Sequence, residues 1–277
     1  LAIQTFNRIV TLAPEDPRSL FGLGQLQFIN ANYNDAKVNF SKVLKYAPDN
    51  ITAKVILVKI ELTQKNYQEA LKHAQELQKS HPKSPAGYDM LGDVYIALSK
   101  PEKAIDHYKK SVTIKYSSET YLKLYSAYNI SNQESKGQSE ILKWIKKYPK
   151  DLSLKEALAI TYQRTQQFKK ASELYLEIIQ SVKKNDRVLS NLALVSLELN
   201  NPMSMEYADM AYNLNPEKAT NKDTLGWVLY NNNQKQKGAE LLKKAVEQAP
   251  GDSDIRYHFA VALADSGQKS QAINQLY

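Results

Sequence analysis

The histidines are the first residues to weigh for chemistry. His73 and His107 lie 34 residues apart. No carboxylate set or cysteine accompanies either, so ordinary surface imidazoles are expected rather than a metal site. His258 follows Tyr257 and reads as a groove residue. The chain has no cysteine, which removes disulfides, thiolate ligands and Cys nucleophiles together. Its nine glycines are scattered and form no phosphate-cradling loop. There is no His-Glu-x-x-His and no nucleophile elbow. The expected protein is not an enzyme and needs no cofactor and no metal.

Charge and aromatic content raise binding instead. The net charge is +8, from 37 Lys and Arg against 29 Asp and Glu. Nucleic acid is a conceivable partner of such a chain. However, the lysines are spread along it (Lys72, Lys103, Lys109, Lys146, Lys169, Lys243), and only Arg8, Arg18, Arg164, Arg187 and Arg256 offer guanidinium forks. A solvated helix surface is the expected reading. Eighteen tyrosines suggest ring stacking. Tyr88, Tyr95, Tyr108, Tyr121, Tyr128, Tyr162 and Tyr175 fall at packing positions, so core is expected for them.

The elements that position these residues repeat. Asp223–Tyr230 reads as a helix, a polar turn follows, and a second helix surrounds Gly238–Ala245 before Ala249-Pro-Gly-Asp252 stops it. The pattern then restarts at Ile255. Leu225-Gly226 and Phe259-Ala260 are 34 residues apart, as are Gly238 and Ala272. Two helices per step of about 34 residues make a helix-pair array. The units run 1–16 (partial), 17–50, 51–84, 85–117, 118–151, 152–185, 186–218, 219–252 and 253–277 (partial), one solenoid over 1–277. Two steps are 33 residues long.

Within a unit, position eight is small (Gly24, Gly92, Ala159, Ala193, Gly226, Ala260), as is position twenty. Small residues let paired helices approach closely, and large residues at the other marked positions fill the gap. Pro at position thirty-two ends many units. Tyr125 stands where position eight should be small, so packing should differ locally.

This pattern resembles the tetratricopeptide repeat family along the whole chain. The resemblance implies an all-α, right-handed superhelical solenoid of antiparallel helix pairs, whose first helices line a concave groove. Groove positions two, five, nine and twelve give Phe21, Gln25, Phe28, Lys59, Asp89, Asp93, Glu156, Asp223, Trp227, Tyr230 and Tyr257, with Arg164 one place further on. Trp227, Tyr230 and Tyr257 should form an aromatic patch there, a plausible partner hot spot. Chaperone-binding members hold a carboxylate with Lys and Asn at positions five and nine. Here those positions read Phe21/Gln25, Val55/Lys59 and Asp89/Asp93, so that clamp is not expected.

The C-terminal stretch carries a narrower likeness. Asp223-Thr-Leu-Gly-Trp and Ile255-Arg-Tyr-His-Phe-Ala-Val-Ala-Leu263 are similar to bacterial tetratricopeptide lipoproteins linked to exopolysaccharide production and PEP-CTERM/exosortase sorting. Phe259 replaces the usual Leu. That likeness implies an envelope scaffold, periplasm-facing and anchored by a lipidated cysteine outside this chain. The sequence begins without Met, lacks a signal-peptide pattern and starts and ends inside a repeat, as a fragment of a longer protein would. No apolar run reaches the roughly 18 residues of a membrane-spanning helix. The leading expectation is a groove that binds a protein or peptide segment. The alternatives are a solenoid guiding a carbohydrate polymer, an RNA-binding array, a domain fused to an enzyme and a cytoplasmic protein.

Overall fold

The computed structural model describes residues 2–276; Leu1 and Tyr277, which the array reading includes, lie outside the described residues, as does the side chain of Ala2. The helices cluster into two compact units, Leu1–Lys143 and Trp144–Tyr277. The first holds α1 (Ala2–Leu12), α2 (Pro17–Ile29), α3 (Tyr33–Tyr46), α4 (Ile51–Thr63), α5 (Tyr67–Ser80), α6 (Pro85–Ala97), α7 (Pro101–Ile114) and α8 (Ser118–Ile130). The division falls inside α9 (Glu134–Lys147). The second holds α10 (Leu152–Arg164), α11 (Phe168–Ser181), α12 (Asp186–Glu198), α13 (Ser204–Leu214), α14 (Ala219–Asn231), α15 (Lys235–Gln248), α16 (Ser253–Asp265) and α17 (Lys269–Leu276). Among the described residues there is no strand. The all-α array of helix pairs expected from the repeat step is observed within each unit.

Local chemistry sets each helix start. The first helix of most pairs is preceded by a side chain that accepts from its free N–H groups: Asp16, Asn50, Ser84, Ser117, Asp151, Asn185 and Asp252. The first helix ends on a residue in the left-handed region, such as Ala31 (φ 59°) or Asn132 (φ 57°). There the next N–H reaches back five residues, as from Asn32 to the Gln27 carbonyl at 2.8 Å. That closed turn aims the second helix back along the first.

The small positions work as the sequence suggests. A methyl at Gly92 would meet the Tyr108 ring at 2.2 Å, and Tyr108 is buried. A methyl at Gly238 would meet the Gly226 carbonyl oxygen at 2.6 Å and the Tyr230 nitrogen at 2.7 Å. At the irregular pair, buried Tyr125 is accommodated by Gly137 on the facing helix, whose added methyl would lie 3.2 Å from the Tyr125 ring. Position twenty keeps its small residue, and the first helix carries a large ring where position eight is small in most units. Tyr108, Tyr121, Tyr128, Tyr162 and Tyr175 are buried as expected, and burial pushes the Tyr108, Tyr121 and Tyr175 hydroxyls far above their ordinary pKa. Tyr88 and Tyr95 are only half-buried and flank His107, whose ring stacks on Tyr95 at 5.2 Å.

One core residue has no apolar rationale. Glu61 is fully buried, with Lys37 Nζ at 2.5 Å and the Asn66 side-chain amide donating to it at 3.0 Å. Burial works against its charge, but Lys37 and Asn66 outweigh it and hold its pKa below the ordinary value.

Gly238→Ala should lower stability. The gain in helix propensity is about 1 kcal/mol. The backbone contact cannot yield as a side chain would, and overpacking costs about 1–3 kcal/mol. Urea unfolding should therefore show a lower midpoint with an unchanged slope; a raised midpoint would mean that α14 and α15 separate freely.

Candidate functional site

The site is clearest in the second unit, where α12, α14 and α16 share one face. They enclose a groove of about 500 Å3. Arg187 and Asn191 enter it from α12, Thr220 and Asp223 from α14, and Asp254, Tyr257 and His258 from α16. Lys218, just before α14, closes one end.

At its floor Asp223 is buried, 5 % exposed, and both its oxygens lie within 3.0 Å of His258 Nδ1. Burial raises the Asp223 carboxyl pKa, only partly countered by His258. The His258 ring also stacks on Trp227, with centroids 4.3 Å apart and planes 14° apart. Trp227 stacks in turn with Tyr230 at 6.1 Å. Tyr230 is itself buried, and its hydroxyl donates to Asp265 at 2.8 Å. Of the three aromatics expected to form an open patch, only Tyr257 is exposed, at 55 %. Trp227 and Tyr230 belong mainly to the packing between α14 and α16.

Other groove candidates join neighbouring first helices. In the first unit Asp93 of α6 accepts from the Tyr108 hydroxyl at 2.7 Å and from Lys123 of α8 at 2.9 Å. Asp89, one turn before it, is half-buried, and burial raises its pKa against the pull of Ser111, Thr120 and Lys123. In the second unit Glu156 of α10 accepts from Arg187 of α12 at 2.9 Å. Phe21 meets Phe40 edge-on at 5.5 Å, and Phe28 meets Tyr33 at 5.8 Å, so both are half-covered. Gln25, Lys59 and Arg164 are exposed.

Arg187 and Asn221 are not among the groove residues expected from the sequence, although Arg187 stands at position two of its unit; His258, which reads as a groove residue, lies one unit and one residue beyond Asp223. Arg187 lies one turn before Asn191 on the same side of α12. Asn221 is fully buried, and its amide donates to Asp186 at 3.1 Å and to the Ala211 carbonyl at 3.0 Å. A buried asparagine in a first helix carries no periodic signal. His73 lies 3.7 Å from Glu76. Among the described residues, no three His, Asp or Glu side chains converge as a metal-ion set, and no helix is long and apolar enough to cross a membrane.

Helix pairs of this length and step, packed first helix beside first helix, define an all-α repeat protein. Residues 17–136 match the family described as tetratricopeptide repeat-like domain, and residues 224–277 match tetratricopeptide repeat; the chain carries tetratricopeptide repeats in both stretches. Such repeats are generally noncatalytic scaffolds that bind protein or peptide partners. No curated protein matches the chain in sequence. Among solved structures, a tetratricopeptide repeat protein from Parabacteroides merdae ATCC 43184 is 14 % identical, with a TM-score of 0.60 over 89 % of this chain and 98 % of its own. Yeast Tom70 is 14 % identical, with a TM-score of 0.69 over 97 % of this chain and 58 % of its own. Cut9, from the Cut9–Hcn1 hetero-tetramer of the APC/C, is 12 % identical, with a TM-score of 0.60 over 93 % of this chain and 52 % of its own. At these identities the likeness is one of fold.

His258→Ala should strand a buried carboxylate. An unsatisfied buried polar group costs about 1–3 kcal/mol. Because Asp223's folded pKa lies above its unfolded value, its contribution favours folding in acid and is lost as pH rises through the folded pKa. Removing His258 lifts that folded pKa further. The deficit of His258→Ala should therefore be largest at neutral pH and shrink in acid, as read by urea unfolding at both. Adding Asp223→Asn should recover part of the neutral-pH loss; an equal deficit at all pH values would place the cost in lost ring stacking alone.

Proposed function

We propose that this protein is a scaffold holding a segment of a partner protein along the face of its first helices, within a bacterial cell envelope, as part of exopolysaccharide production or PEP-CTERM protein sorting. The full-length protein would face the periplasm through a lipid anchor outside this chain. The observation that carries the binding role is the groove of α12, α14 and α16. Exposed Tyr257 stands there beside Arg187, Thr220 and Asp254, over a floor fixed by the Asp223–His258 contact. A large rigid ring among polar groups, on a preorganised base, is what a binding hot spot requires.

The envelope reading rests on the narrower sequence likeness alone. The two motif stretches, Asp223–Trp227 and Ile255–Leu263, meet through the Asp223–His258 hydrogen bond and the Trp227–His258 stack. They form one cluster at the groove floor rather than two unrelated segments. A sugar polymer is the second reading, because the open Tyr257 ring with Asp254 and Thr220 near it also suits a pyranose face.

The test uses exposed residues only, since substituting Trp227 or Tyr230 would disturb packing. The chain and its Tyr257→Ala/Arg187→Ala variant, matched in helicity, are incubated with envelope extract from the native host. Retention of a defined protein should fall by about tenfold in the variant, equivalent to roughly 1.4 kcal/mol. Polysaccharide lost in the same way would favour the sugar reading. Equal retention by both proteins would remove the groove assignment. Full-length protein recovered in the cytosolic fraction of host cells would remove the envelope assignment.

A further inference from the structure

A second cleft in the second unit lies apart from the first-helix groove. It opens between α15, the C-terminal half of α16 and the start of α17, and has a volume of about 460 Å3. Its apolar wall is Ala239, Phe259, Ala262 and Leu263. We propose that this cleft is a binding site for a small, uncharged, mainly apolar molecule.

Two other junctions carry larger side chains at places that line the cleft here. Ala239 is the fifth residue of α15, and Ala262 is the tenth of α16. At the junction of α5 and α6, the same two positions carry Leu71 and Val94, packed in one core cluster. At the junction of α13 and α14, the residues at the same places in the repeat unit, allowing for the one-residue shortening before α13, are Met205 and Val228, again in one cluster. At α15 and α16 both are alanine. Both line the cleft, Ala239 half-buried and Ala262 almost wholly so, and both pack with Phe259. A volume of this size falls within the roughly 300–1,000 Å3 of small-molecule sites.

The rim selects against charge. Lys235 and Asp265 are paired at 3.1 Å, and Asp265 also accepts from the Tyr230 hydroxyl at 2.8 Å. Among the lining groups, Glu240 offsets Lys243, one helical turn away on α15. Neutral amides of Gln236, Gln268 and Gln271 complete the edge. A guest carrying a net charge would face a lining whose own charges cancel, whereas a neutral guest with one hydrogen-bonding group would find amide partners.

The test fills the space with the residues that other junctions carry. Ala239→Leu and Ala262→Val are made separately in the full chain. The probe is N-phenyl-1-naphthylamine, uncharged and fluorescent in apolar surroundings, with 1-anilinonaphthalene-8-sulfonate as its anionic counterpart. The unsubstituted protein should bind the neutral probe saturably at one site, about tenfold more tightly than the anion, and each variant should weaken that binding by about tenfold or more. Thermal midpoints of the variants should be unchanged or raised, because the new methyl groups enter open space. Absence of saturable binding, unchanged binding in both variants or tighter binding of the anion would overturn the proposal. Lower midpoints in both variants would overturn it too, by showing that the space does not admit a side chain.

Discussion

Everything in this fold depends on how closely the two helices of a pair can approach. At Gly92 the second helix sends the Tyr108 ring against the backbone of the first, and at Gly226 and Gly238 two backbones meet with no side chain between them. Close approach lets one large ring or leucine fill the remaining gap. That fixes where the next pair must sit. Tyr125 and Gly137 show that a small residue on one helix can be enough: the ring at position eight lies against the glycine at position twenty. The turn between the helices has less latitude. Its left-handed residue is glycine only at Gly267, while Ala31, Lys65 and Ser99 accept a conformation that costs most side chains energy.

A second layer of interactions runs between first helices. Asp93 with Lys123, Glu156 with Arg187, Asn221 with Asp186, and Asp223 with His258 each link a first helix to the next first helix. Charged pairs on an open surface contribute little. Except for the exposed Arg187, these side chains are partly or wholly buried, and they set register more than they add stability. The same side chains line the face where a partner would lie. A ligand there meets groups already oriented by their neighbours, so less ordering remains to be done on binding.

This double use explains what the sequence reveals and what it hides. The units, the small positions and most packing tyrosines follow from a 34-residue step, since each recurs independently of its neighbours. First helices start at Pro17, Ile51, Pro85, Ser118, Leu152, Asp186, Ala219 and Ser253, where the repeat spacing sets its units. Contacts between units carry no such signal. Trp227 looks open when its unit is considered alone and becomes covered because His258 arrives from the next. Glu61 sits at a place where Gln27, Tyr95 and Tyr128 stand in other units, so its charge looks misplaced until Lys37 of the preceding pair reaches it. Asp93 and Glu156 read as ligand groups for the same reason, because their protein partners lie 30 and 31 residues away.

Repetition also makes the exceptions interpretable. In an irregular protein, an alanine beside a cleft has no reference against which to judge it. Here each junction provides a reference for the others. Leu71 with Val94, and Met205 with Val228, place two large side chains where Ile105 with Ala127 and Ser172 with Val195 keep one small member, and Ala239 with Ala262 beside the cleft are both small. Buried side-chain volume is the main favourable term available to an array in which each pair touches only its neighbours. The junction of α15 and α16 forgoes part of it with alanine at both positions, while Phe259 and Leu263 stand around the gap. Gly226, Gly238 and Leu242 pack without space to spare a few ångströms away, so the opening is local to one side of the helix and not a general loosening of the pair.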